Sequence, residues 1–209
     1  MARARSVTNG GKPAIRAVGL FGGMFNPPHI GHLAAAQEAQ ARLNLDIVQF
    51  IPTGDPPHRK NPETPAEIRL KMTRLACEKN NKFSVSEFEM KNSDKSYTIN
   101  TVTYFCEKLP EATIYLLVGT DQLNLFHTWQ RWQEIIKKVK LVVLKRSNSV
   151  VEDLPAGVVD NFQMLEIPGL NISSSQIRSR VKQGLPLRYL VPDKICKFIE
   201  REKLYNANR

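Results

Sequence analysis

What most constrains this chain is the alternation of short apolar runs with longer amphipathic ones. Thr113–Val118 (TIYLLV) is continuously β-branched, aromatic or leucine, the pattern of a strand covered on both faces. Ile15–Phe21, Asp46–Ile51, Phe83–Phe88, Val139–Leu144 and Phe162–Ile167 read as further strands. Between and after them, His32–Leu43, Ala66–Lys79, Thr98–Leu109, Trp129–Lys138, Ser173–Gly184 and Pro192–Leu204 read as helices. Strands separated by helical stretches of roughly ten to fifteen residues form βαβ units and pair in parallel through right-handed crossovers. The expected fold is therefore α/β: a doubly wound parallel sheet with a small helical part at its C-terminal end.

A chain of 209 residues with 42% hydrophobic residues can bury a real core, which excludes wholesale disorder. No apolar run approaches the roughly 20 residues that a membrane-spanning helix needs. The first residues, MARARSVTNGGK, are basic but lack the apolar stretch of a secretory signal, and they read as a flexible arm over 1–15. Residues 16–209 then form a single domain, since no linker splits them. Three cysteines, far apart and without a C-x-x-C pair, argue for a reducing cytoplasm over a disulfide framework or zinc ribbon. The net charge of +10 sits at the ends: Met1–Gln37 holds four basic residues and no acid, and Arg178–Arg209 holds nine against three. Such ends suit nucleic acid, an anionic small molecule or solubility alike.

Ligands of open parallel sheets bind beyond the carboxyl ends of the strands, where helix N-termini favour anions. Three segments follow predicted strands in that way. The first is Gly22-Gly23-Met24-Phe25-Asn26-Pro27-Pro28-His29-Ile30-Gly31-His32: two glycines for close backbone approach, two stiffening prolines, and two histidines three apart at a helix start. It is not a Walker loop, because the Lys-Ser/Thr pair is missing, and two neighbouring histidines without a third ligand assign no metal site to it. The second is Ile172-Ser173-Ser174-Ser175-Gln176-Ile177-Arg178. One serine suffices to cap the helix; three hydroxyls, free N–H groups and Arg178 make a cradle for phosphate. The third is Gly119-Thr120-Asp121 with Trp129 eight residues on, where the Asp suits ribose hydroxyls, or alternatively caps a helix.

Five motifs in this order, GGMFNPPHIGH, PTGDPPHRK, SYTINTV, GTDQLNLFHTW and ISSSQIR, resemble those of the nicotinate (or nicotinamide) mononucleotide adenylyltransferases, the bacterial nicotinate type especially. The resemblance runs from about Val18 to Tyr205. Departures from the family's pattern are Met24 where Thr is commoner, Gln130 where an aromatic is frequent, and Arg59 inserted between His58 and Lys60; at Asn26 the family carries Asp or Asn. The resemblance implies a Rossmann-like fold of the nucleotidyltransferase type, and adenylyl transfer between ATP, carried with Mg²⁺, and nicotinate mononucleotide. It also implies residue roles. His32 and His29 act on the transferred phosphate, with Arg178. ATP is held by Gly22, Gly23, Met24, Phe25, Gly119, Asp121, Arg146, Ser174, Ser175 and Arg178. The mononucleotide is held by Asn26, His58, Lys60, Thr98 and Trp129.

The chemistry explains why no nucleophile–base dyad is needed. A phosphate monoester with a second pKa near 6 is roughly nine tenths dianionic at neutral pH and attacks the α-phosphorus unaided. What remains is to align two anions and to stabilise the charge that grows on the transferred group. The basic His58, Arg59 and Lys60 favour the extra negative charge of nicotinate over nicotinamide. Other readings of the same features are a nicotinamide-preferring enzyme, another H-x-G-H adenylyl- or cytidylyltransferase such as the pantetheine-phosphate type, and a basic nucleic-acid-binding module. The class I aminoacyl-tRNA synthetases share H-I-G-H, but the chain lacks a K-M-S-K-S loop and room for an anticodon domain. Against a nucleic-acid module, the aromatics do not interleave with the basic residues. Oligomeric state is not readable from these features.

Overall fold

The computed structural model describes residues 14–55, 64–91, 95–146, 150–151, 154, 156–159 and 161–205. Nearly all of the expected basic arm, and the candidates His58 and Lys60, lie outside the described residues. Six strands, β1 (Ala17–Gly23), β2 (Ile47–Pro52), β3 (Phe83–Val85), β4 (Thr113–Gly119), β5 (Lys140–Arg146) and β6 (Phe162–Ile167), form one sheet in the order β3-β2-β1-β4-β5-β6. Every neighbouring pair is parallel, with Val18 of β1 opposite both Ile47 and Ile114. The doubly wound α/β fold expected from the alternation is thus present. The chain winds outward from β1 to β3, then crosses back to β4 on the other side of β1. That reversal opens a crevice at the carboxyl ends of β1 and β4, the place where such sheets bind ligands.

Alternation along the strands builds two cores. Leu116 and Val118 of β4, with Leu141 and Val143 of β5, pack beneath α4 (Thr98–Lys108) and α6 (Trp132–Lys138). Leu117, Val142 and Leu144 face the other way, onto α1 (Ile30–Arg42). The contacting face of α1 is Ala35, Ala36 and Ala39, small residues that let the helix lie close to the sheet. A third cluster joins Met72 of α2 (Ala66–Cys77) to Ile177 of α8 (Ser174–Lys182) and to Ile195, Phe198 and Ile199 of α9 (Asp193–Arg201). Each such fully buried aliphatic or aromatic side chain is worth about 1.5–3 kcal/mol. This third cluster fastens the C-terminal helices to the body of the domain.

Local chemistry sets the ends of α8. Ser173 is its N-cap: the Gln176 N–H donates to Ser173 Oγ (3.2 Å), and the Ser173 N–H donates to Gln176 Oε1 (2.9 Å). This reciprocal box is a strong start signal. The helix stops at Gly184, whose φ of 68° allows Leu185 N–H to reach Arg180 O at 2.9 Å.

Three elements differ from the sequence expectation. The strand expected over Phe83–Phe88 ends at Val85; Phe88–Lys91 is instead a helical turn, α3, in which Phe88 stacks on Tyr104 at 4.2 Å. The helix expected from Trp129 begins at Trp132, after a 3-10 turn at Phe126–Thr128 and a left-handed Arg131 (φ 55°). Gly119-Thr120-Asp121 is the start of a short helix, α5 (Thr120–Asn124), and the unpatterned stretch after Ser147 contains one helical turn, α7 (Ala156–Val159). No described helix is long and apolar enough to cross a membrane.

Candidate active site

The histidine loop leaves β1 at Gly22-Gly23 and turns sharply. Phe25 takes a left-handed φ of 44°, and the Asn26–Pro27 peptide is cis. His29 is the extended N-cap residue of α1 and is 2% exposed. Its ring stacks on that of His32, with centroids 3.6 Å apart, and the edge of Phe25 closes the far side of His32 at 5.1 Å. Gly31 makes this stack possible, since a Cβ there would lie 3.0 Å from His29 Nδ1.

Both imidazoles are neutral at pH 7. Burial, helped by the charge of Arg146, brings His29 down to about 4. Burial, then His29 and Arg146, holds His32 well below the ordinary histidine value. The tautomer of His32 follows from one bond: the His29 backbone N–H donates to His32 Nδ1 at 3.2 Å. A neutral ring accepting at Nδ1 carries its proton on Nε2, so His32 presents an Nε2–H donor. His29 Nδ1 is buried without a hydrogen-bond partner among the described residues.

The serine–arginine helix converges on this loop. Ser174 Oγ donates to Pro27 O at 2.8 Å, and Arg178 Nη1 donates to Asn26 O at 2.8 Å. Arg178 Nη2 also donates to Ser175 Oγ at 3.2 Å. Ser174 thus spends its one hydroxyl proton on the loop, so a phosphate at α8 would be met by backbone N–H groups of its first turn, by Ser175 and by the remaining guanidinium protons. Ile30 N–H adds a bond to Leu190 O at 3.0 Å.

Among the remaining candidates, Gly22, Gly23, Gly119 and Arg146 stand at the carboxyl ends of strands. Gly119 caps α5 at the end of β4, with the exposed carboxylate of Asp121 in the first turn. Arg146 ends β5 within electrostatic reach of both histidines. Gly22 is open to solvent, and Gly23 O accepts from Thr53 N–H at 3.0 Å. Thr98 opens α4, whose approach is tied to the loop after β2: Ser96 N–H donates to Asp55 O at 2.8 Å, and Gly54 N–H to Ser96 Oγ at 3.1 Å. Trp129 is half-buried on Phe126, with ring centroids 5.0 Å apart.

Comparison with known proteins identifies the family and the fold. A cytidylyltransferase-like family model matches residues 20–180. A probable nicotinate-nucleotide adenylyltransferase of Exiguobacterium sibiricum is 39% identical over 188 residues, covering 90% of this chain and 98% of the relative. One from Corynebacterium kroppenstedtii is 37% identical, covering 90% of each chain. This chain belongs to the nicotinate-nucleotide adenylyltransferase family. In fold it is similar to the Plasmodium falciparum nicotinic acid mononucleotide adenylyltransferase solved with NaAD, at a TM-score of 0.74 and 16% identity over 91% of this chain and 97% of that one.

Sequence reasoning missed two residues that hold the family's loops in place. Arg69 in α2 is fully buried and donates to four carbonyls: Met24 (3.2 Å), Thr53 (2.6 Å), Gly54 (3.2 Å) and Thr64 (3.4 Å). Glu89, buried, accepts from Thr101 Oγ1 at 2.7 Å, and its carboxyl lies within electrostatic reach of Arg69. Burial pushes the Glu89 carboxyl up, and the hydrogen bonds and the Arg69 charge pull it back. Gly54 is forced by this packing, because a Cβ would meet Glu89 O at 2.1 Å. An arginine inside AEIRLKM looks like any solvated helix residue, so no local signal marks it.

Two outcomes follow. Arg69→Met leaves buried carbonyls unpaired and lowers unfolding free energy by about 3 kcal/mol, read from urea titrations. The lowered histidines give the second. Between pH 6.5 and about 4 the unfolded chain binds protons that the folded chain refuses, so stability falls with pH in that window. His29 alone accounts for about 3 kcal/mol at full effect. Urea midpoints at pH 7, 6 and 5 show the slope, and His29→Asn flattens it; equal slopes in both proteins rule this origin out.

Proposed function

We propose that the chain joins ATP and nicotinate mononucleotide to give nicotinate adenine dinucleotide and pyrophosphate. The supporting observation is the convergence of the histidine loop and the first turn of α8, through Ser174–Pro27 and Arg178–Asn26, onto the crevice between β1 and β4. An α-phosphate over the histidines then has its β- and γ-phosphates running toward α8. The mononucleotide phosphate attacks the α-phosphorus in line; a phosphorus–oxygen bond forms to it as the bond to pyrophosphate breaks. His32 Nε2–H donates to an α-phosphate oxygen as charge grows there, and His29 orients the same group. Ser175, Arg178 and the N-terminal amides of α8 receive the departing pyrophosphate. Asp121 and Gly119 take the adenosine ribose, while Trp129, Thr98 and the loop after β2 take the pyridine ring, with His58 and Lys60 as its basic neighbours.

Magnesium enters with the triphosphate. Phosphate oxygens and water would be its ligands, as is common for this cation with nucleotides. It supplies charge neutralisation on the phosphates when bound. Three free thiols and the phosphorylated substrates support a cytoplasmic location.

The deciding assay follows pyrophosphate release from ATP with nicotinate mononucleotide and, in parallel, with the nicotinamide form. The reading requires faster turnover of the acid; preference for the amide overturns it. In the same assay His32→Ala lowers kcat by about a hundredfold or more, as loss of one transition-state donor does. Unchanged kcat removes His32 from that role.

A further inference from the structure

We infer that Tyr205, at the C-terminal end of the chain, is a positioning residue that locks the histidine loop against the loop after β2 and so sets the alignment of the two substrates. Its phenol donates to Asn26 Oδ1 at 2.7 Å, bridging 179 residues of sequence. The inference rests on the adenylyl-transfer reading, since it concerns where Asn26 and its loop stand in that reaction.

The surroundings of the phenol connect the histidine loop, the loop after β2 and α8. Asn26, 7% exposed, belongs to the histidine loop, and its carbonyl is already held by Arg178 of α8. Thr64, at the far end of the loop after β2, is buried with its hydroxyl beside the phenol oxygen and its carbonyl held by Arg69. Met72 Sδ of α2 lies 3.8 Å away on another side. The Tyr205 hydroxyl therefore occupies the junction of the ATP side, the mononucleotide side and the pyrophosphate helix. Removing it leaves the apolar ring in place but frees the Asn26 side chain.

The backbone is bent to deliver this side chain. After α9 the chain takes left-handed conformations at two non-glycine residues, Lys203 (φ 48°) and Tyr205 (φ 64°). Leu204 N–H closes back on Ile199 O at 3.0 Å, and Lys203 N–H on Glu200 O at 3.2 Å. Left-handed non-glycine residues carry strain and persist only where neighbouring contacts over-determine them. Leu204 and Tyr205 both pack on the cluster formed by α2, α8 and α9, which supplies that restraint.

In-line transfer makes the position of the loop matter more than its affinity. Displacement of reacting groups by about 1 Å costs up to about a hundredfold in rate. Tyr205→Phe should therefore lower kcat about tenfold while leaving both KM values within about twofold and the melting temperature within a few degrees. The effect must pass through the acceptor oxygen of Asn26. In an Asn26→Asp background the oxygen remains, and Tyr205→Phe still costs about tenfold; in Asn26→Ala it costs nothing further. Steady-state kinetics of the wild type and these five variants with ATP and nicotinate mononucleotide, with thermal melts alongside, test the assignment. It is overturned by unchanged kcat in Tyr205→Phe, by an equal cost in the Asn26→Ala background, or by a loss explained entirely by a lowered melting temperature. An inactive wild-type enzyme would instead strike at the adenylyl-transfer reading.

Discussion

One buried guanidinium holds the active edge of this protein together. Arg69 reaches the loop after β1 through Met24, the loop after β2 through Thr53 and Gly54, and the approach to its own helix through Thr64. Loops beyond a parallel sheet carry carbonyls that no strand partner satisfies, and buried carbonyls must be paired. A planar group with five donors satisfies several at once, which a lysine ammonium could not do from one point. The charge is tolerable because Glu89 lies close by and because carbonyl dipoles surround it. Two loops that would each wander are thereby fixed to one helix.

The second consequence concerns where the site comes from. Its two converging elements are drawn from opposite ends of the chain: the histidine loop follows the first strand, and α8 follows the last. Their contacts span 147 and 152 residues. Such a site cannot exist before the sheet is complete, and the apolar cluster of α2, α8 and α9 holds the late elements against the early ones. Packing and the geometry of the candidate site are therefore coupled through the same helices: Ile177 is fully buried in that cluster, while Arg178, its neighbour, grips Asn26.

This explains which features were legible in the sequence. The strands were, because runs such as TIYLLV have one low-energy use in a sheet covered on both faces. The histidine loop and ISSSQIR were too, because glycines, prolines and capping residues act locally. Arg69, Glu89 and Tyr205 were not, because their partners lie far away in the chain and their own neighbourhoods look like ordinary amphipathic helix. Phe88 and Trp129 misled for a related reason. An aromatic fits a strand or helix pattern equally, and only the stack on Tyr104, or the left-handed Arg131 before α6, decides between them.

The neutrality of the two histidines bears on how the site discriminates between states of the reaction. A site for a triphosphate and a phosphate monoester is crowded with negative charge, and cationic imidazoles would hold the ground state as firmly as the transition state. Binding both equally does not speed the chemical step. In the proposed transfer a neutral Nε2–H donor, fixed by the His29 N–H to His32 Nδ1 bond and by the stack of rings, would gain strength as charge concentrates on the transferred phosphate. Burial keeps the rings uncharged, and the nearby Arg146 reinforces this while adding its own positive field. In the proposed reaction the long-range attraction then falls to guanidinium groups and helix N-termini, and the histidines would act at the step in which the phosphorus–oxygen bonds change.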